Sequence, residues 1–179
     1  DNLGRLLIAL DELDEAREVF ERALEIARAS YRPDHPDIAA ALGGLGAALA
    51  AAGRLAESDE LQHRALAILE ATHGPEHHQL VLPLLALGEN ALARGAPEEA
   101  IALLERVLAV HDTTIAEHRP PAATYFALAR ALWDAPRDAG GDRQRARELA
   151  LDAIAYWRTR PGDAKELAEA ESWLASRSR

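Results

Sequence analysis

No cysteine and no methionine occur among the 179 residues, and phenylalanine, tryptophan and tyrosine together make up only 4%. Without cysteine there is neither a disulfide framework nor a thiolate metal site, and the expected compartment leans to the cytoplasm. With so few aromatics in a chain that is 49% hydrophobic, the apolar share falls on Ala and Leu, which suit packed helices better than sheets. No apolar run approaches the roughly 20 residues of a membrane span. Even Leu80 to Leu87 contains Pro83 and is soon followed by Glu89. Nothing has the form of a secretory leader. The expectation is a soluble, all-α protein with no membrane partner. Because it starts at Asp1 within a helical pattern, it reads as a piece of something longer.

Basic residues are also scarce where they would matter for nucleic acid. Residues 1–118 hold 21 acidic and 9 basic side chains, and the net charge of the whole is -10. Such a surface repels phosphate backbones, so no nucleic-acid partner is expected. The basic cluster Arg143, Arg145 and Arg147 alternates with Glu148 and Asp152 and reads as a solvated helix face.

What the sequence does have is a period. Leu3-Gly4, Leu45-Gly46 and Leu87-Gly88 are 42 residues apart, and Ala16, Ser58 and Ala100 follow at one offset. Ala23-Leu24, Ala65-Leu66 and Val107-Leu108 keep the phase, and a weaker copy runs from Leu128-Ala129 through Ala146 to Ala153-Ile154. A helical unit of this length cannot bury its own apolar face, so neighbouring units stack.

Each unit reads as two helices around a short joint. The expected helices are 3–10 and 14–30, 38–52 and 55–72, 79–94 and 98–112, then 122–134 and 143–159. In the second helix Ala16, Val19, Phe20, Ala23, Leu24 and Ile26 form an amphipathic stripe. Gly53 supplies a left-handed joint residue, Pro97 suits a helix start, and Asp37 is placed to cap the third helix. Pro33 and Pro36 stop the second helix. The linkers carry His35 and His77 in register, and the third, Thr113 to Pro121, carries His118 one residue out of register. The joint from Asp134 to Asp142 is the one atypical turn. A last helix, 163–176, has Leu167, Ala170 and Leu174 on one side with Trp173 at the border, as a terminal cap requires.

At these residues the sequence resembles the tetratricopeptide repeat family. Its pattern is met by Leu45-Gly46, Gly53, Ser58 and Ala65, by Leu3-Gly4, Ala16, Phe20 and Ala23, and by Leu87-Gly88, Gly95, Ala100, Leu104 and Val107. The 42-residue length and the Asp34-His35-Pro36-Asp37-Ile38-Ala39 linker are similar to the kinesin light chain variety. The paired asparagines usual there are replaced by Gly43-Gly44 and Leu85-Ala86. The ending, through Trp133, Gly141-Asp142-Arg143 and Glu171-Ser172-Trp173-Leu174, is similar to repeat regions attached to bacterial serine/threonine protein kinases. The resemblance implies a right-handed superhelical solenoid with units at 1–34, 35–76, 77–118 and 119–160 and a capping helix at 163–176.

It also implies an interaction module that holds a peptide or partner protein on a concave face made by the first helix of each pair. The expected lining is Arg5 and Ile8, then Gly43, Gly44 and Ala47, then Leu82, Leu85, Glu89 and Leu92, and last Phe126, Arg130 and Trp133. The floor is small near Gly43 and aromatic towards Trp133. The alternative implied by the tail is a non-catalytic part of a larger kinase, which self-associates or contacts the kinase domain.

No reaction, cofactor or metal is expected. Gly74-Pro75 lies between His73 and His77-His78, so they share no helix turn and read as structural or solvated linker residues instead of metal ligands, with His35 and His77 expected to hydrogen-bond across successive units. Ser58 is expected to bond to the carbonyl four residues back. Asp59, Glu60 and His63 lie on an outward helix with no pocket to shift a carboxylate. No Gly-rich phosphate loop or kinase catalytic element is present.

Overall fold

The computed structural model describes residues 2–114 and 122–177. His118, Pro120 and Pro121 of the third linker lie outside them. All regular structure in the described residues is helical, as the repeat phase implies: α1 (Asn2–Ala9), α2 (Leu13–Ser30), α3 (Pro36–Ala51), α4 (Leu55–His73), α5 (Val81–Ala93), α6 (Pro97–Thr114), α7 (Ala122–Asp134), α8 (Arg143–Trp157) and α9 (Ala164–Ser176). Single 3-10 turns occupy His78–Leu80, Arg137–Ala139 and Pro161–Asp163. The chain forms two compact units, one ending at Asn90 and one beginning at Ala91. In the first, α2 packs on α1 and α3, α3 packs on α4, and α1 also touches α3. In the second, α7 packs on α6 and α8, and α9 packs on α8.

The joints explain the repeat. Gly53 and Gly95 take positive φ, and Asp11 does so at the same phase in the first unit with φ 63°. Each closes a helix by the same pair of bonds, seen at Gly53 N to Ala50 O (2.9 Å) and Arg54 N to Leu49 O (2.8 Å). These bonds satisfy the orphan carbonyls at the helix end and reverse the chain at once into the next helix. Glycine takes the left-handed conformation without steric cost, whereas Asp11 tolerates it through its short polar side chain. The fourth joint abandons this geometry. There Asp142 N donates to Leu132 O, and Asp142 Oδ1 caps α8 by accepting from Gln144 N and Arg145 N, each at 3.0 Å.

His35 and His77 cap the helical starts that follow them. His35 Nδ1 accepts from Asp37 N at 3.2 Å, and His77 Nδ1 accepts from Gln79 N at 3.4 Å. The bond is local to each helix start, so the expected bridging between units is replaced by capping, and His35 takes the role assigned to Asp37. An imidazole acceptor can do what Ser or Asp does at this place only while it is neutral.

In α2 the buried face is Ala16, Phe20, Leu24 and Ala27. Ile26, placed on that stripe by its spacing, is 59% exposed. At about 100° per residue it lies roughly 160° from Phe20's neighbour Leu24 once the turn closes the other way, while Ala27 completes the face. Phe20 is 1% exposed because its ring lies against Gly4 of α1 and Gly44 of α3, where added methyl groups would meet it at 2.4 and 2.1 Å. The glycines are there so that two helices can close on one ring. One repeat later the equivalent residue is Gln62, 2% exposed, whose amide donates to Gly43 O at 3.0 Å.

The last helix covers α7 and α8. Ala170 is fully buried, and Leu167, Trp173 and Leu174 are partly buried against Phe126, Ile154 and Trp157. The full burial expected of the two leucines is not reached, because the indole of Trp173 takes the central place against Phe126, edge-on at 5.7 Å.

Candidate partner-binding face

On α3 the helix period leaves Ala40, Gly43, Gly44, Ala47 and Ala51 on the least buried side, and all are small. Gly44 belongs only partly to this floor, since its inner side is taken by Phe20. On α5 the open side within the first unit carries Leu82, Leu85 and Glu89; Leu82 is 59% exposed and Leu85 half-buried. Arg5 is exposed and Ile8 half-buried on α1, which lies beside α3. Leu92, in the second unit, is half-buried.

The candidates on α7 are differently placed. Phe126 is 7% exposed and lies edge-on to Trp157 at 5.9 Å as well as to Trp173. Trp133 also meets Trp173, at 5.7 Å, and Arg130 reaches Glu169 at 3.9 Å. All three therefore face α9, one turn apart from each other along α7.

One buried polar cluster escapes a reading by apolar periodicity. Asn90 of α5, 4% exposed, donates to Ser58 Oγ at 2.9 Å and to Asp59 Oδ1 at 2.8 Å. Ser58 thus accepts from a neighbouring helix, where a bond to its own helix was expected, and Asp59 is a structural acceptor. The clue in the sequence was a Ser at the small-residue position of α4 with an Asn on the helix that follows. A satisfied polar pair in a core fixes register, because any slip leaves both groups unpaired.

His73, His77 and His78 stack in series, with centroids 4.3 and 4.2 Å apart. Burial and then the charges of His78 and His73 hold the His77 imidazole below its ordinary pKa. Among the described residues no group of three or more His, Asp or Glu is placed to hold a metal ion, and no helix is long and apolar enough to cross a membrane. The arginines of α8 are not a uniform solvated face. Arg145 pairs with Glu105, while Arg143 and Arg147 lie over Trp133.

The tetratricopeptide repeat model matches residues 1–57 and 37–113. No curated protein matches the chain. Among solved structures it is similar to the nearly identical tetratricopeptide-like repeats of a kinesin light chain candidate from Podosopora anserina, at 26% identity and TM-score 0.68 over 99% of this chain and 94% of that one. A point variant of the same repeats gives 29% identity and TM-score 0.69, covering 98% and 85%. BtubC (BKLC) from P. vanneervenii shares the fold at 20% identity and TM-score 0.69, over 84% of this chain and 59% of its own.

Proposed function

The chain belongs to the tetratricopeptide repeat family of protein–protein interaction modules, and from that premise we propose that it holds a partner peptide on the open faces of α3 and α5. The observation that carries this reading is the exposed Leu82 on α5, with the all-small open side of α3 in the same unit. A small floor admits a bulky guest side chain, and an apolar anchor supplies most of the energy of such an interface. The kinesin-light-chain-like relatives support a module of this kind.

A peptide-display selection on the immobilised chain tests it. Selected peptides should carry a bulky apolar anchor and lose about tenfold or more in affinity, roughly 1.4 kcal/mol, with Leu82→Arg or Ala47→Arg. Peptides indifferent to both changes would remove the α3 and α5 faces from consideration. The narrower alternative, that the partner is a kinase domain in the same protein, rests on the tail resemblance alone. It predicts that a purified kinase domain of that type competes with the selected peptides.

A further inference from the structure

The joint between α7 and α8 contains a concentration of unpaired positive charge. A cavity of about 490 Å³ is walled by Trp133, Arg137, Arg143, Arg147 and Arg177, with Glu148 as the one carboxylate. Three of these guanidinium groups surround a single indole: Arg143, Arg147 and Arg177 lie 5.2, 5.5 and 5.9 Å from the Trp133 centroid. None of the four arginines has an ion pair among the described residues. Carboxylates are not in short supply, since Arg17, Arg54, Arg94, Arg145 and Arg158 each lie within 3.1 Å of one.

Other details point the same way. Arg177 Nε is buried and has no hydrogen-bond partner. At the start of α8 the capping carboxylate of Asp142 is engaged by Gln144 N and Arg145 N, and Arg143 beside it has no carboxylate partner of its own. Glu148 is already engaged by Gln144 at 3.3 Å. Trp133 is fixed edge-on against Trp173, so the arginines are gathered on a rigid aromatic post. Arg147 Nη2 donates to Arg177 O, and Arg177 Nη1 to Trp173 O and Ser176 Oγ, and the remaining N–H donors of the convergent guanidiniums match the oxygens of a phosphate monoester, which they can bind bidentately.

We propose that this cavity binds a phosphorylated serine or threonine side chain of a partner protein. Four guanidiniums against one carboxylate are left strongly positive by a single carboxylate guest, whereas a phosphate monoester brings about -1.5 to -2 charge and three acceptor oxygens. The exposed Leu151 at the rim meets the guest's carbon atoms. A polyanion or an anionic membrane is disfavoured by the chain's net charge of -10. Over a screening length of about 8 Å, one seated phosphate senses the arginines, while an extended polyanion senses the acidic surface beyond them. The site is built wholly from residues of the second unit and does not rest on the reading given for the α3 and α5 faces.

The test is a titration of the full chain with acetyl-Ala-phosphoserine-Ala-amide, followed by the indole N–H resonances and the Arg177 Nε–H resonance, with calorimetry for affinity. The serine and glutamate peptides, inorganic phosphate, and phosphatidylcholine vesicles containing a phosphoinositide are titrated in parallel. Saturable shifts at Trp133 and Arg177 are expected. Affinity should be at least about tenfold above that for either unphosphorylated peptide, and should fall by a similar factor in Arg143→Gln/Arg147→Gln. Arg137→Gln, on the joint outside α8, should weaken binding as well, and Arg22→Gln on α2 should not. The proposal is overturned by an absence of saturable shifts, by affinity that survives both variants, by inorganic phosphate binding as tightly as the phosphopeptide, or by vesicle binding without peptide binding.

Discussion

Alanine at Gly43 and alanine at Gly44, neighbours on α3, should change stability in opposite directions. In a helix interior Gly→Ala is worth about 0.5–1 kcal/mol, because alanine loses less backbone entropy on folding. At Gly43 the added methyl would lie 3.6 Å from Gln62 Oε1, an ordinary contact, so the gain is kept. At Gly44 it would lie 2.1, 2.3 and 2.8 Å from three ring carbons of Phe20. The ring has nowhere to retreat, since it is 1% exposed and Gly4 closes its other side. Overpacking costs about 1–3 kcal/mol, which exceeds the helix gain and leaves Gly44→Ala destabilised by about 0.5–2 kcal/mol. In a Phe20→Ala background, itself lower by about 3–5 kcal/mol, the obstacle is gone and Gly44→Ala should become neutral or stabilising. Urea denaturation followed by far-ultraviolet circular dichroism measures all four corners of the cycle. Thermal midpoints should separate the two single alanines by several degrees, since about 1 kcal/mol moves a chain of this size by about 2–4 °C. The packing account fails if Gly44→Ala is as stable as the parent, or if its penalty persists without Phe20.

Stability should fall as pH drops below the ordinary histidine range. The His77 imidazole is held below its usual pKa in the fold, so the unfolded chain binds the extra proton first, at about 6.5. Stability is therefore complete above that value and lost as pH falls through the lower folded value, where the Nδ1 acceptor that caps the turn at Gln79 is also lost. His77→Asn, which caps without titrating, should flatten this part of the urea-midpoint profile; an unchanged profile would acquit His77. Ending the chain at Gly162 should remove about 3–5 kcal/mol of burial and aromatic contact and expose Phe126 and Trp157. The expected result is oligomerisation or a large loss of melting temperature; a monomer melting within about 2 °C of the parent would show that α9 is no cap.

The 42-residue phase determined the helix pairs and the joints at Gly53 and Gly95, and the spacing of Leu167, Ala170 and Leu174 the terminal helix, because these depend on period and on local backbone conformation, both of which are written residue by residue. It also placed small residues on the open side of α3. What the period could not specify is which polar groups meet across helices. Nothing in the helical period marks Asn90 or Gln62 as buried, yet each is held by a partner on another helix that no local pattern names. The histidine linkers were legible as a repeat, but their capping role depends on a χ1 choice that aims Nδ1 at the N–H two residues on. The α7 candidates were assigned to an open face because the family resemblance gives which helix of each pair lines a groove and not what else of the chain covers it. Only the tertiary structure brought α9 across Phe126, Arg130 and Trp133, and only it collected Arg143, Arg147 and Arg177 around one indole, with Arg137 of the joint on the same cavity wall. Contacts between distant segments depend on how backbones cross, and that is decided by packing the whole unit at once.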